Sequence, residues 1–307
     1  MRSKFVFALI PALVLLTGCD FDEEVGGFGR YHEDFHYTYP LKSGGRLVVD
    51  SFNGSIEVSP WDQENVDITG TKYARTQDDV ADIRIEIEHS SDAVSIRATR
   101  PITRNGNHGA RFVIKVPRSV VLERLATSNG GIRATDGIGP SRFKTSNGGV
   151  HALGFKGQLS AATSNGTMEL MDVEGSVTGH TSNGAIRGDR IRGPVDVTTS
   201  NGGIRMNLDR AEGSIRLGTS NGGIELTLPA NATVPVQAHT SNSSITMHLP
   251  GEVNARLVAN TSNGSISTDF EMRMRGDLNR HHLEGTMGSG GPLIDLNTSN
   301  GSIRIVR

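Results

Sequence analysis

The densest group of side chains that could do chemistry lies near the C-terminus, at His281, His282 and Glu284, beside Arg280. Imidazole and carboxylate groups can hold a metal ion or transfer protons. Two adjacent residues of an extended chain point to opposite sides, however, which disfavours one metal bound by both histidines. We therefore expect a surface loop and predict no metal and no cofactor. A metal-responsive sensor that uses the two histidines stays open as a minor alternative.

Serine and threonine are abundant, but no serine lies in a G-x-S-x-G elbow. The paired acids Asp78-Asp79 and Glu23-Glu24 lie in segments that we predict to be exposed. Enzymes with a β-helix fold that cleave polysaccharides combine acids with aromatic platforms for sugars, whereas Trp61 and the four tyrosines lie outside the repeats described below. We predict no catalytic residue and no enzyme, with a polysaccharide-processing β-helix enzyme as the alternative.

Cys19 is the only cysteine, so it can form neither an internal disulfide nor a cysteine-based metal site. Arg2 and Lys4 precede an apolar run over 5–16, which is short for a membrane span and typical of a signal peptide. The run ends in Leu16-Thr17-Gly18-Cys19, which resembles a bacterial lipobox. We predict a signal peptide over 1–18 and lipidation of Cys19.

Residues 19–35 are acidic and contain glycine, which predicts a flexible tether behind the anchor. The anchor would place the protein in the cell envelope, on the periplasmic face of a membrane or on the cell surface, with the membrane as one partner. The formal net charge is -2, which gives no electrostatic reason to expect nucleic acid as a further partner.

Alternating apolar and polar residues predict half-buried strands in the segment 36–120. A short helix is expected over 76–83. The predicted strands are 46–50, 55–58, 66–69, 83–87, 94–98 and 111–116.

A Thr-Ser-Asn-Gly motif repeats through the rest of the chain. The spacing between asparagines is 18 residues from Asn129 to Asn201, then 20, 21, 21 and finally 37. A forerunner occurs at Asn53, and Ser243 replaces the glycine after Asn242. We attribute the motif to a tight turn in which both Asn and Gly tolerate positive φ. The turn asparagines are Asn53, Asn129, Asn147, Asn165, Asn183, Asn201, Asn221, Asn242, Asn263 and Asn300.

The residue three positions after each asparagine is apolar, as in Ile132, Val150 and Ile186, and the next residue is mostly polar. Apolar residues also lie six and four positions before the asparagine. One unit is therefore strand, turn, strand and Asn-Gly turn. Neither strand can bury its apolar face alone, so successive units must stack.

These features predict an all-β, single-domain β-solenoid, similar to a right-handed β-helix or β-roll, with about 18–21 residues in each two-strand rung. We expect residues 121–307 to form the solenoid and 36–120 to cap it. Stacked rungs lie about 4.8 Å apart, so the asparagine side chains should form a ladder of amide hydrogen bonds.

The turns offer neutral Ser and Asn in place of the carboxylates of a calcium-binding β-roll, which argues against a calcium ladder. The outward positions of the rungs form a column of mixed charges. This column could bind a ligand, but partial ion pairing on a solvated face is the simpler interpretation. Its members are Arg133, His151, Glu169, Arg187, Arg205 and Glu225.

The recurring T-S-N-G-x-I units, Val116-Pro117-Arg118 before the first full rung, and the ending 296–305 resemble the bacterial "putative adhesin" β-solenoid family, a toast-rack-like domain of unknown function. The resemblance covers about residues 45–307. It implies an exported or membrane-attached solenoid associated with adhesion or envelope stress, and it supplies no catalytic residues. We expect a non-enzymatic lipoprotein that acts as a binding or scaffold module for an unidentified envelope protein or glycan.

Overall fold

The computed structural model describes residues 31–100, 107–230, 232–249, 251–274 and 279–307. The predicted signal peptide, Cys19 and the tether up to residue 30 lie outside these ranges. The short helix that we expected is present as α1 (Gln77–Asp82), with the Thr76 side chain accepting a hydrogen bond from the backbone N–H of Asp79.

The predicted strands of the N-terminal third are confirmed. They are β2 (Arg46–Asp50), β3 (Ile56–Trp61), β4 (Asn65–Ala74), β5 (Arg84–His89), β6 (Ala93–Thr99) and β7 (Gly109–Pro117). A further strand, β1 (Tyr31–Pro40), begins inside the range predicted as tether. Residues 31–35 are ordered there because β1 pairs with β4 along its whole length, from Tyr31 with Ala74 to Pro40 with Asn65.

Each Thr-Ser-Asn-Gly unit of the central region contributes two strands, as predicted. The strands that approach the Asn turns are β8 (Val121–Ala126), β10 (Ser141–Lys144), β12 (Leu159–Ala162), β14 (Val177–His180), β16 (Val195–Thr198), β18 (Ile215–Gly218) and β20 (Val236–Thr240). The strands that leave them are β9 (Ile132–Thr135), β11 (Val150–Lys156), β13 (Met168–Glu174), β15 (Ile186–Arg192), β17 (Ile204–Arg210), β19 (Ile224–Thr227) and β21 (Ile245–His248).

The C-terminal strands are β22 (Ala255–Thr261), β23 (Ile266–Thr268), β24 (Met272–Met274), β25 (His282–Met287), β26 (Leu293–Thr298) and β27 (Ile303–Val306). Strand β25 and the turn before it replace the surface loop that we expected around His281 and His282. A loop is excluded there because β25 pairs antiparallel with β22 and also with β24.

The strands form two long sheets that face each other and confirm the β-solenoid. We call the 13-stranded sheet, which contains the strands leaving the Asn turns, the exit sheet, and the 14-stranded sheet the entry sheet. Between consecutive central rungs every pairing is parallel, for example Val150 with Met168 and Leu159 with Val177. The inward residues of both sheets are buried, as alternation predicts, and form one core.

Stacking does not follow chain order at the two ends, and here our expectation that successive units stack was wrong. The rung β2/β3 lies between β6/β7 and β8/β9, so two rungs of the solenoid fall within the segment predicted as a cap. The last rung of the chain, β26/β27, lies between β20/β21 and β22/β23. The first and the last rung of the chain therefore each lie one rung inward from an end of the stack, and antiparallel strands β1, β4, β5, β24 and β25 close it.

Candidate functional site: the Asn turns and the outer face of the exit sheet

The asparagines of the turns form one continuous ladder of side-chain amides. From Asn129 onward, each Nδ2 donates to the Oδ1 of the asparagine in the neighbouring rung, at 2.6 Å from Asn165 to Asn147 and from Asn183 to Asn165. The Nδ2 of Asn53 donates to the backbone carbonyl of His108. The ladder begins at Asn53 and follows spatial rather than chain order at its end. Its members in order are Asn53, Asn129, Asn147, Asn165, Asn183, Asn201, Asn221, Asn242, Asn300 and Asn263.

The threonine of each motif is buried and ties its turn to the neighbouring rung. The Thr145 hydroxyl donates to the carbonyl of Gly130 at 2.8 Å, and the Thr163 hydroxyl donates to the carbonyl of Gly148 at 2.9 Å. A buried hydroxyl needs such a partner, which explains why a β-branched residue with a hydroxyl occupies this position.

The glycine of the motif is not required for the positive φ that we predicted from the sequence. Among the described residues of the Thr-Ser-Asn-Gly turns, neither Asn nor Gly has positive φ, whereas Gly54 of the forerunner does, at 108°. A Cβ on Gly166 would instead lie 1.8 Å from the carbonyl oxygen of Gly148, and one on Gly148 would lie 2.0 Å from that of Gly130. Glycine is required because the backbones of adjacent turns approach too closely for any side chain.

A shallow groove crosses the outer face of the exit sheet beside the Asn turns. Its floor is the column two positions after each asparagine, where residues are small: Ala185, Gly203, Gly223 and Ser244 line it. The charged column forms its wall, with Arg187, Arg205 and Glu225. We call this feature the outer groove; its volume is about 410 Å³ and it spans four rungs.

The charged column is joined by ion pairs between rungs. Glu169 contacts His151 at 2.9 Å and Arg187 at 3.3 Å, and Arg205 contacts Glu225 at 2.7 Å. These groups are partly exposed, so each pair contributes little to stability. The carboxylates are engaged by cations, which leaves this wall with mixed and largely balanced charge.

A second charged cluster, which the sequence analysis missed, lies near the ends of the exit strands β13 and β15. Arg190 forms a two-point contact with Asp172, at 2.8 and 2.6 Å, and also reaches Asp189 at 2.7 Å. The hydrogen bonds from Arg190 lower the pKa of Asp172 below its ordinary value of 3.8, and the same contact raises the pKa of Arg190.

Asp172 and Arg190 of this cluster belong to a column of stacked positions whose backbone is left-handed. Asp136, Gly154, Asp172 and Arg190 have φ of 53°, 76°, 51° and 53°. A left-handed arginine is unusual, and its two-point ion pair with Asp172 helps to hold it. The 18-residue spacing of these four positions was the signal available in the sequence.

The predicted polar cluster near the C-terminus does not converge on a metal. The Nδ1 atom of His282 lies 2.6 Å from Oδ1 of Asn260. The Nδ1 atom of His281 is buried without a hydrogen-bond partner among the described residues. Within those residues no group of three or more His, Cys, Asp or Glu side chains could hold a metal ion.

No helix in the described ranges has the length and apolarity needed to cross a membrane. The paired acids Asp78 and Asp79 lie in the first turn of α1, and the hydroxyl of the capping residue Thr76 donates to the Asp79 carboxylate. Glu23 and Glu24 lie outside the described residues. Of the described phenylalanines in the solenoid, Phe143 and Phe155 are buried and pack edge to face at 5.4 Å, and Phe270 is partly buried with the Arg307 guanidinium 5.4 Å from its ring centroid.

Comparison with solved structures finds several all-chain matches of low identity. A "putative adhesin" from Bacteroides fragilis NCTC 9343 is 13% identical, with a TM-score of 0.46, over 89% of this chain and 96% of that one. A "putative adhesin" from Parabacteroides distasonis ATCC 8503 is 11% identical, with a TM-score of 0.45, over 89% and 97%. A "putative lipid binding protein" from the same organism is 12% identical, with a TM-score of 0.38, over 91% and 98%.

Among curated proteins no relative matches the sequence. The model of the Toastrack DUF4097 family, in contrast, matches residues 45–249, which is about two thirds of the 307 residues. That range runs from β2 through β21 and contains the turns from Asn53 to Asn242. The protein therefore belongs to the Toastrack DUF4097 family.

Proposed function

We propose that this protein is a non-enzymatic, lipid-anchored module of the cell envelope that binds an extended protein or glycan along the outer groove. The observation that carries the proposal is the groove itself, with a floor of small residues and a wall of charged side chains that extend across four rungs. An extended partner can lie against such a surface and contact several rungs at once, which adds weak contacts into a useful affinity.

The Asn turns support this role because they make the face rigid. Each turn is joined to the next by an amide hydrogen bond, a threonine hydroxyl and backbone bonds such as Asn165 N to the Ser146 carbonyl at 2.9 Å. A surface that is already ordered loses little conformational entropy on binding. The same rigidity suits a scaffold that holds its ligand at a set distance from the membrane.

Two features favour binding over catalysis. The acids of the groove wall, such as Glu225, are paired with arginine instead of facing each other across a cleft. The polysaccharide-processing alternative needs aromatic platforms for sugars, whereas Phe143 and Phe155 of the repeats are buried. A reducing-end assay on cell-wall polysaccharides tests that alternative: release of sugar ends above a heat-denatured control would overturn the binding proposal.

The envelope location rests on the N-terminal sequence. The apolar run and Leu16-Thr17-Gly18-Cys19 match the pattern of an exported lipoprotein, and several acyl chains on one cysteine would anchor it stably. We expect the wild type in the membrane fraction and a clearly larger soluble share of the Cys19→Ala variant after membrane fractionation.

The binding face is tested by site-specific photo-crosslinking in cells. A photoreactive residue replaces Ala185 in the outer groove or, as the control, the exposed Thr178 on the entry sheet. We expect a discrete adduct from position 185 only, identified by mass spectrometry and absent when Cys19→Ala is combined with it. Equal adducts from both positions, or none from either, would show that the outer groove is not the binding face.

A further inference from the structure

The N-terminal end of the solenoid carries the aromatic side chains that have a polar group. All four tyrosines and the single tryptophan lie between residues 31 and 73, and three of the tyrosines are in β1. Tyr31 and Tyr37 are 40% and 36% exposed, which places them among the most exposed large apolar side chains of the described residues. Such side chains are typical of membrane interfaces, because one end is apolar and the other is wet.

The aromatic residues of β1 form an ordered row that overhangs the core. Phe35 packs against the buried Phe112 with ring centroids 5.5 Å apart, and the row continues to Tyr37 at 5.9 Å. Tyr37 stacks on Tyr39 at 6.4 Å, and Tyr39 stacks on His89 of β5 at 4.0 Å. The row therefore reaches from the edge strand of the exit sheet to the edge strand of the entry sheet.

Half-buried Ile85 and Ile87 of β5 complete an apolar surface at this end. We call Tyr31, Phe35, Tyr37, Tyr39, Ile85 and Ile87 the aromatic end. The nearby carboxylates are engaged, since Glu33 pairs with Lys72 at 2.6 Å and Asp34 accepts a hydrogen bond from Thr71 at 2.7 Å. Stacked repeats ordinarily present a polar outer face at their ends, so this surface is unusual for a solenoid terminus.

The position of the aromatic end in the chain identifies what covers it. Tyr31 is only 12 positions after Cys19, and a fully extended chain over that separation reaches about 40 Å. The exit sheet, with 13 strands, is about 58 Å across its strands, so the opposite end lies farther from the anchor. Of the two ends, the aromatic end is the one that the tether holds nearest to the bilayer.

We infer that the aromatic end lies on the lipid surface and sets the solenoid end-on to the membrane, with the outer groove facing sideways. This inference rests on the proposed lipid anchor for its biological setting. The partner is the interface of a zwitterionic bilayer, because β1 contains no Lys or Arg that would attract anionic lipid. A tether alone would leave the solenoid free to rotate, whereas contact at its end fixes the orientation of the groove.

Binding to vesicles tests the inference without the anchor. The chain from residue 19 with Cys19→Ser retains every described residue, and its partition into phosphatidylcholine vesicles is measured by flotation. The Tyr31→Ser/Tyr37→Ser variant should partition about tenfold more weakly, from the apolar area that it loses. Leu153→Ser/Met171→Ser is the matched control, because these residues are 41% and 38% exposed on the broad outer face.

Unchanged partition of the control, together with unchanged thermal unfolding of both variants, would support the inference. Absence of partition in the parent chain, or equal losses in the two variants, would overturn it. A concentration-dependent dimer in sedimentation that only the tyrosine variant abolishes would also overturn the inference, because the aromatic end would then bind a second copy of the chain. Fractionation of the Cys19→Ala variant in cells reports on the anchor separately, so the two proposals can fail independently.

Discussion

Replacement of Gly222 by alanine should separate two rungs of the solenoid. A Cβ at this position would lie 1.8 Å from the carbonyl oxygen of Gly202 and 2.3 Å from its carbon. Real Cβ contacts are not shorter than 3.0 Å, so the two turns must move apart by roughly 1.2 Å. The neighbouring Gly223 is the matched control, because a Cβ there would meet its nearest atom at 3.4 Å.

The cost follows from the contacts that such a shift breaks. The Asn221 amide donates to Asn201 at 2.6 Å, and the Thr219 hydroxyl donates to the Gly202 carbonyl at 2.9 Å. Loss of both costs about 2 kcal/mol, and the overpacked turn adds about 1–3 kcal/mol. We expect Gly222→Ala to lower the free energy of unfolding by about 4 kcal/mol. Gly223→Ala should leave it unchanged or raise it by up to about 1 kcal/mol, because alanine restricts the unfolded chain.

Urea unfolding followed by circular dichroism measures the difference, and hydrogen exchange at the backbone amides of Ser220 and Asn221 shows whether the loss is local. Local readout matters because a solenoid can open one rung at a time. Equal stability of the two variants would refute the close-approach explanation of the motif. Equal destabilisation would also refute it, since Gly223 lacks the close contact.

Three further predictions concern the repeat. Asn165→Ala removes two amide hydrogen bonds of 2.6 Å and should lower the free energy of unfolding in urea by about 1–2 kcal/mol. Ser164→Ala is the control and should be neutral, because the Ser164 hydroxyl makes no hydrogen bond in the described structure. Equal effects of the two variants would argue against the ladder. Arg190 lowers the pKa of Asp172, so this carboxylate stabilises the fold above its unfolded value of 3.8 and ceases to do so as acid protonates it. The difference in urea midpoint between wild type and Asp172→Asn should therefore shrink between about pH 5 and pH 2, and a constant difference would contradict this. Deletion of residues 148–165 removes one 18-residue unit and should preserve cooperative unfolding, because β13 can stack on β9 in register; a chain without a cooperative transition would count against the stacking model.

The rungs and the faces that they bury follow from the order of the residues. Alternation places Ile132, Val150 and Ile186 inside, and each is fully buried in the structure. The constant spacing of the Asn turns also determined that equivalent side chains stack, as the hydrogen bond between Asn147 and Asn165 illustrates. These features are local or periodic, so they can be worked out from residue order and strand geometry alone.

Three other features depend on how the rungs pack against each other. The insertion of β26/β27 between β20/β21 and β22/β23 depends on which strand edges are available for pairing, and the spacing of the motifs does not specify this. The glycine requirement arises from the distance between two backbones in different rungs, such as Gly166 and Gly148, which is absent from either unit considered alone. The aromatic end exists because β1 pairs antiparallel with β4 at the edge of the exit sheet, where Tyr39 stacks on His89, 50 residues later in the chain. In each case the contact that matters joins segments that come close only when the stack forms. The physical cause is therefore packing between rungs, which the residue pattern within one rung does not contain.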